Sequence, residues 1–282
     1  MSYKKIQPHD ILKPYVESIS IQEDLTFDPS WQPTKIIPAA KANMVFYYLD
    51  PFVSHKNGVK ELIPATVLHG QKTKPLFVSA TGKTGIIIVN FYPWGVAPFT
   101  NIPFYELKDG AVDINFVFGI KTVGELYQKI IESKNNFERV NFIQKFLIKI
   151  ISEKRKDDLV VALTKAINNN YKRIKISKLA NELNLSRRHL LRRFSDSTGL
   201  SMKQFAGIIR FQKALYLKRE GYHWGDIAEN CGYFDQPHFI KEIERYTGTT
   251  PEKIFSNTKP TKLMQFFNSG YGMSHFYNTV YL

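Results

Sequence analysis

The sequence predicts an α+β protein, in which a β-rich N-terminal domain and a helical connector precede an all-α domain with two helix-turn-helix units. Short apolar and aromatic runs, separated by proline and glycine, fill the first 120 residues. From about Thr122 the apolar residues recur with the period of a helix. One helix-turn-helix pattern then occurs twice in the last hundred residues. The predicted segments are 1–121, the connector 122–156, the double unit 157–256 and a C-terminal tail, 257–282.

The charge of the chain favours an anionic partner, for which nucleic acid and an acidic membrane surface are the two candidates. The formal net charge is +14 over 282 residues. Residues 171–220 hold 13 lysines and arginines against 3 acidic residues, a net charge of +10, whereas residues 221–260 hold 4 against 6, a net charge of −2. The excess positive charge therefore lies on one short stretch.

Cysteine content and apolar runs indicate the compartment. The single cysteine, Cys231, excludes an internal disulfide and a multi-cysteine zinc site, which suits a reducing environment. The N-terminus lacks the apolar core of a signal peptide, and no apolar run approaches the roughly 20 residues of a membrane span. We therefore expect a cytoplasmic protein with no membrane partner.

The N-terminal domain is predicted to be a small barrel or sandwich. Residues 44–49, 76–80 and 85–91 are strand-length runs rich in β-branched and aromatic side chains. Four aromatic residues are candidates for an effector pocket, and the alternative is that they belong to the core: Trp31, Tyr47, Tyr92 and Trp94.

The connector is predicted to form two helices. Apolar residues within 123–131 lie on one helical face, and those within 140–151 form a second, wider stripe. This second stripe is either core or the seam of a homodimer. The charged segment 152–158 is the predicted boundary with the next domain.

The first helix-turn-helix unit ends in a basic amphipathic helix, SRRHLLRRFSDSTG at 186–199. Ser186 can cap its N-terminus, and the Thr-Gly pair ends it. At about 100° per residue, Leu190 and Phe194 share the face to be buried. Arg188, His189 and Arg192 point to the opposite side, where an anionic partner can bind.

A second unit repeats the first. Ile227-Ala228 repeats Leu179-Ala180 at an offset of 48 residues, and Thr247-Gly248 repeats Thr198-Gly199 at an offset of 49. We place the extra residue of the second turn near Gly232, which makes Phe234 the equivalent of Leu185. Two matched units are far more specific than a single helix-turn-helix pattern.

These residues carry a resemblance to a known family. The segments SRRHLLRRFSDSTGLSMKQF and IAENCGYFDQPHFIKEIERYTGTTPEKI resemble the two halves of the DNA-binding domain of AraC/XylS-type transcriptional regulators over about residues 159–256. The resemblance implies that recognition helices 186–198 and 235–247 enter successive major-groove segments of double-stranded DNA, about 34 Å apart. It also implies RNA polymerase as a partner.

Carried over by position, the resemblance assigns base-contacting residues, which are Arg188, His189, Leu191 and Arg192 in the first unit and Gln236, His238 and Lys241 in the second. Arginine suits this role because its planar fork pairs with guanine O6 and N7. Four further cations are candidates for phosphate contacts: Arg187, Arg193, Lys203 and Arg210.

The second unit departs from the family pattern. Lys241 stands where arginine is usual, Ile243 stands where phenylalanine is usual, and Glu242 and Glu244 add acid beside the helix. We therefore expect unit two mainly to position the DNA backbone through its helix N-terminus.

The N-terminal segment TGKTGIIIVNFYPWGVAPFTNIPFYELKDG is similar to the sensor region of some members of the family. That similarity implies a domain that binds a small-molecule effector or forms a homodimer.

The expected function is therefore sequence-specific DNA binding by a transcriptional regulator, without a cofactor. No catalytic arrangement is recognisable, and the seven histidines lack metal-ligand spacing, so we expect neither an enzyme nor a metal site. Two alternatives remain open at this point. One is a sequence-neutral architectural DNA-binding protein, and the other is a small-molecule enzyme domain fused to a DNA-binding domain.

Overall fold

Ten strands form two antiparallel sheets in the N-terminal part of the computed structural model, which describes residues 2–26, 33–151, 157–172 and 175–254. The strands are β1 (Ser2–Ile6), β2 (Val16–Asp24), β3 (Thr34–Ile36), β4 (Asn43–Tyr47), β5 (Phe52–Lys56), β6 (Val59–Leu62), β7 (Thr66–His69), β8 (Leu76–Ala80), β9 (Thr84–Phe91) and β10 (Ala111–Asp113). The larger sheet has the order β1-β2-β9-β4-β7-β10, and the smaller sheet has the order β3-β8-β5-β6. The predicted β-rich N-terminal domain is confirmed as a sandwich.

The central strands of the larger sheet are buried on both faces. Alternate side chains of β9 point to opposite sides, so that Ile86 and Ile88 join the core between the sheets, while Ile87 and Val89 join a second core beneath the larger sheet. The side chains of strand β4 alternate between the same two cores. Burial on two faces explains why these strands read as continuous apolar runs in the sequence.

Three helices cover the outer face of the larger sheet, and they are α1 (Ile114–Phe118), α2 (Ile120–Glu132) and α3 (Asn136–Ile150). The wide apolar stripe of α3, including Val140, Ile143 and Leu147, is buried in the same core as strands β4 and β9. Of the two interpretations offered above, the structure therefore places this stripe in the core of its own chain.

In the described C-terminal residues, 157–172 and 175–254, seven helices surround one core. They are α4 (Asp158–Asn169), α5 (Ile176–Glu182), α6 (Arg187–Thr198), α7 (Met202–Arg219), α8 (Trp224–Asn230), α9 (Gln236–Thr247) and α10 (Pro251–Ile254). Helix α7 packs against α4, α6, α8 and α9 and joins the two helix-turn-helix units. Ile37 and Ala40 of the N-terminal domain also belong to this core, so the two parts of the chain pack together. Within the described ranges, no helix is long and apolar enough to cross a membrane.

Candidate nucleic-acid interface

Helix α6 has the local structure that its sequence predicts. The Ser186 side chain accepts a hydrogen bond from the backbone N–H of His189 at 3.2 Å, and Gly199 ends the helix with a φ of 76°. Leu190 and Phe194 are fully buried in the C-terminal core. The buried face fixes the rotation of the helix about its axis, and thereby the direction of the basic face.

The basic face of α6 points to solvent. Arg188 and Arg192 are exposed, and neither guanidinium makes a hydrogen bond or an ion pair with any described residue. His189 is half-buried at the edge of this face. Leu191 is half-buried and packs against the C-terminal core, so its role as a base contact stays a prediction. The two arginines are the side chains free to reach a partner.

Helix α9 repeats the arrangement. The Asp235 carboxylate accepts a hydrogen bond from the backbone N–H of His238 at 2.7 Å, and Gly248 ends the helix with a φ of 72°. Gln236 and Lys241 are exposed and make no hydrogen bond or ion pair within the described chain. The His238 ring is exposed too, but its Nε2 lies 3.6 Å from a carboxylate oxygen of Glu242.

The register of the repeat is confirmed, except at one residue of the turn. Helix α8 follows α5 by 48 residues, and α9 follows α6 by 49. In the first turn, the Leu185 N–H donates to the carbonyl of Ala180, and in the second the Tyr233 N–H donates to that of Ala228, both at 3.0 Å. Tyr233 is therefore the equivalent of Leu185, and the assignment of Phe234 to that position was wrong.

The inserted residue is Phe234 itself. A residue just before a helix cap usually packs against the first turn of the helix, but here Tyr233 takes that place, 5.0 Å from the ring of Phe239. Phe234 is left 91% exposed beside the N-terminus of α9. Sequence reasoning missed this side chain because it treated Phe234 as a core residue, although the one-residue change of offset was visible.

Of the four predicted phosphate contacts, two have no partner among the described residues, and two form ion pairs within the chain. Arg187 and Lys203 are exposed without a described partner. Arg193 donates two hydrogen bonds to Asp157, the residue that caps α4, at 2.5 and 3.0 Å. Arg210 donates to Glu242 at 3.2 and 2.6 Å.

Arg210 is a correction to the sequence prediction, because its guanidinium faces inward. It lies 4.5 Å from the centre of the Tyr233 ring, and only 16% of its side chain is exposed. Burial by itself disfavours the charged form, but the hydrogen bonds and the charge of Glu242 outweigh it, so the pKa of Arg210 is raised. The negative charge of Glu242 is thus balanced from within the domain.

The N-terminal domain lies against the C-terminal ends of helices α6 and α9. A methyl group added to Gly199 would lie 2.8 Å from the carbonyl oxygen of Phe104, which begins a 3₁₀ turn at Phe104–Leu107. One added to Gly248 would lie 3.6 Å from Cγ of Pro75. Arg192 also lines a cleft of about 420 Å³ together with the segment around Pro103. The N-terminal domain therefore contacts α6 directly and lies close to the end of α9.

The residues predicted for an effector pocket do not share one site. Tyr92 and Trp94 stack with their ring centres 5.0 Å apart and line a cleft of about 410 Å³ between the N-terminal domain and α4 and α7. Tyr47 lines a different, small cavity between the two sheets. Trp31 lies outside the described residues. Tyr47 is therefore separated from Tyr92 and Trp94, since it lies on β4 and points between the sheets, whereas those two residues follow the end of β9.

The remaining candidates for a chemical role are the single cysteine and possible metal ligands. Cys231 is fully buried in the C-terminal core, and this burial raises the pKa of its thiol to about 11. Among the described residues, no group of three or more potential ligands could hold a metal ion.

Two exposed capped helices, each held against a shorter helix by a tight turn, define the C-terminal part as a double helix-turn-helix domain. Residues 179–257 match a sequence family described as a helix-turn-helix domain, and residues 4–113 match a domain of unknown function (DUF6597). The C-terminal part of the chain is thus a helix-turn-helix domain, in agreement with the sequence resemblance to the AraC/XylS type.

Curated relatives carry similar sequences. The Msm operon regulatory protein of Streptococcus mutans is 27% identical over 136 residues, which cover 47% of this chain and 46% of the relative. The HTH-type transcriptional regulator MtrA of Neisseria gonorrhoeae is 36% identical over 77 residues, which cover 27% of this chain and 26% of the relative. The chain thus spans about half the length of the first relative and about a quarter of the second.

Among solved structures, ToxT from Vibrio cholerae aligns over 90% of this chain and 98% of its own, with 12% identity and a TM-score of 0.46.

Proposed function

We propose that this protein is a sequence-specific DNA-binding transcriptional regulator, whose helices α6 and α9 enter successive major-groove segments on one side of the duplex. The observation that carries the proposal is the repeat of two capped helices, related by 49 residues, of which α6 presents two exposed arginines with no partner among the described residues. An α-helix fits the major groove, and free arginine forks can pair with guanine. The names of the two curated relatives support the same function.

The proposed base readers differ from those that the sequence suggested, because Leu191, which packs against the core, is left out and Phe234 is added. Arg188 and Arg192 read bases from α6, with His189 at the edge of the contact. In our proposal Gln236 and Lys241 also read bases from α9, with His238 beside them. This goes beyond the backbone positioning expected from the sequence, because Glu242, one of the acids behind that expectation, is paired with Arg210. Phe234 adds an apolar contact, for which the C5 methyl group of thymine is the complementary feature of the major groove. Arg187 and Lys203 contact phosphates and hold the register of the protein on the duplex.

The N-terminal domain controls this interface, in our proposal, through an effector or through dimerisation. The contacts of Phe104 with Gly199 and of Pro75 with Gly248 support a mechanical link, because any shift of the N-terminal domain must move or release the ends of both helices. Action on RNA polymerase belongs to the same proposal and rests on the family type alone.

The test is selection of bound duplexes from a random pool by the full-length protein, followed by affinity measurements at fixed salt. A specific reader prefers its selected duplex to random DNA by about 4–10 kcal/mol. Equal affinity for both duplexes would instead identify a sequence-neutral architectural protein.

A further inference from the structure

We propose that the DNA interface extends from helix α6 onto the N-terminal domain, where the segment 100–105 binds the sugar-phosphate backbone beside the groove that α6 enters. The hydroxyls of Thr100 and Tyr105 are the proposed phosphate ligands. This inference rests on the proposed DNA function and adds to it a contact surface outside the helix-turn-helix domain.

A cleft of about 420 Å³ lies between this segment and the basic face of α6. Arg192 and Asp196 of α6 form one wall, and residues 97 and 100–105 form the other. Arg192 is exposed, and its guanidinium makes no hydrogen bond or ion pair with any described residue. A duplex that reaches the proposed base reader Arg192 therefore comes close to the opposite wall.

The segment is held against α6 by a buried turn. The 3₁₀ turn Phe104–Leu107 packs on α6, and its first and last side chains are buried. The carbonyl oxygen of Phe104 lies so close to Gly199 that a methyl group added there would come within 2.8 Å. Residues three apart lie on the same side of a 3₁₀ turn, so Tyr105 and Glu106 are left facing solvent, with 47% of Tyr105 exposed.

The dimensions of B-DNA place a phosphate backbone at this segment. The major groove is about 12 Å wide, and an α-helix with its side chains is about 10–12 Å across. A helix that enters the groove therefore fills it from wall to wall, and the walls are the two sugar-phosphate backbones. An element packed beside the base-reading face of α6 then meets a backbone and not the base edges.

The side chains of the segment suit phosphate oxygens. The Tyr105 hydroxyl makes no hydrogen bond with a described residue. The Thr100 hydroxyl accepts from the N–H of Ile102 at 3.1 Å, which leaves its own hydrogen to be donated. Neutral hydroxyl donors are common phosphate ligands, and they position a protein on DNA without reading its sequence. The contact should therefore add affinity and register to the base reading by α6.

The first experiment measures the affinity of the full-length protein for the selected duplex and for a random duplex at several salt concentrations. Tyr105→Phe removes only a hydroxyl, so it should weaken binding to both duplexes alike, by about 2- to 10-fold. The dependence of affinity on salt should stay that of the wild type because no charge is lost, whereas Lys203→Ala should reduce it. Unchanged or tighter binding by Tyr105→Phe overturns the contact.

A second experiment locates the contact on the duplex. Single phosphates of the selected duplex are replaced by methylphosphonates, one position at a time, and the loss of affinity is compared between the wild type and Tyr105→Phe. At the phosphate bound by Tyr105 the loss should be smaller in the variant, because the variant has already lost that interaction. This phosphate should flank the bases read by Arg192. No position that depends on Tyr105, or dependence only beside the bases read from α9, overturns the proposal.

A third measurement uses charge to report distance. Glu106 is exposed on the same turn, so Glu106→Gln should tighten binding to both duplexes about twofold at low salt, because a negative charge beside a backbone is removed. Glu125→Gln is the matched control and should leave the affinity unchanged, since Glu125 is exposed on α2, which packs on α1 and α3. Equal effects of the two substitutions place the turn away from the DNA and overturn the proposal.

Failure of this inference can be distinguished from failure of the proposed function. If the wild type prefers its selected duplex while Tyr105→Phe and Glu106→Gln bind as the wild type does, only the contact is overturned. If the wild type prefers no duplex, the sequence-specific function is overturned, and the same variants on random DNA still decide whether the N-terminal domain contacts the backbone.

Discussion

Arg210 of the joining helix α7 donates two hydrogen bonds to Glu242 of α9, and at the position equivalent to Glu242 in the first unit, Arg193 of α6 donates two to Asp157. Each recognition helix is thus fixed to its own unit at the same place, with the charges reversed. The Arg210–Glu242 pair is the more buried, with 16% and 12% of its side chains exposed. In the Arg193–Asp157 pair, 44% and 20% are exposed. The two pairs should therefore differ in their contribution to stability.

Replacing Glu242 by glutamine should destabilise the protein by about 3 kcal/mol, because the buried guanidinium of Arg210 loses its counter-charge. The matched change Asp157→Asn should cost less than about 1 kcal/mol, since that pair is open to water. Urea unfolding of the full-length protein measures both. Equal effects of the two changes would show that the difference in burial does not decide the strength of these pairs.

The face of α6 can be tested by comparing two alanine variants. Arg192→Ala should lose about 1–3 kcal/mol of discrimination at one base pair, since the lost interaction is with a base edge. Lys203→Ala should weaken binding to all duplexes alike and reduce the salt slope by about 0.9, the value for one phosphate. Affinities for the selected duplex and its single-base variants, at several salt concentrations, separate the two outcomes. Identical behaviour of the variants contradicts the assignment of the face.

The exposed phenylalanine of the second turn should recognise a thymine methyl group. Replacing the contacted thymine of the selected duplex by uracil should weaken binding of the wild type several-fold and leave the affinity of Phe234→Ala unchanged. Scanning uracil through the bound half-site gives this comparison without knowledge of the contacted position. If no thymine shows a dependence on Phe234, the residue is not a reader.

The contact between the N-terminal domain and α6 should appear in a comparison of two glycines. Gly199→Ala and Gly248→Ala both place a methyl group on a left-handed residue, which costs roughly 1–2 kcal/mol in each case. Only Gly199→Ala also drives that group against the Phe104 carbonyl, at 2.8 Å rather than the ordinary 3.6 Å found at Gly248. Gly199→Ala should therefore be the more destabilising in urea. Equal losses would mean that the two domains separate freely in solution.

Much of the C-terminal fold could be predicted because its signals are local. Caps, apolar spacing and the Thr-Gly ends lie within each unit, and the structure reproduces their register. The Thr198 and Thr247 hydroxyls even donate to the carbonyls of Phe194 and Ile243 at the same 2.8 Å. The direction of the side chains in the second turn was harder to predict from the sequence. Tyr233 and Phe234 are both aromatic, and only packing distinguishes the buried ring from the exposed one.

The remaining features depend on contacts between distant residues. Arg210 reads as a surface cation until α9 brings Glu242 beside it, 32 residues later. Tyr47 and Tyr92 are separated by the alternation and pairing of strands, which composition does not reveal. Lys72 had no local signal of burial, because the cavity around it forms only when strands of both sheets come together.

The central claim is that α6 and α9 read one duplex together, and it is tested most directly by methylation interference on the selected duplex with the full-length protein. The account predicts two groups of major-groove guanines, centred about 10 base pairs or 34 Å apart on one side of the helix. It also predicts that Arg188→Ala and Arg192→Ala abolish interference within one group only. A single group, or interference without any dependence on these arginines, would contradict the account.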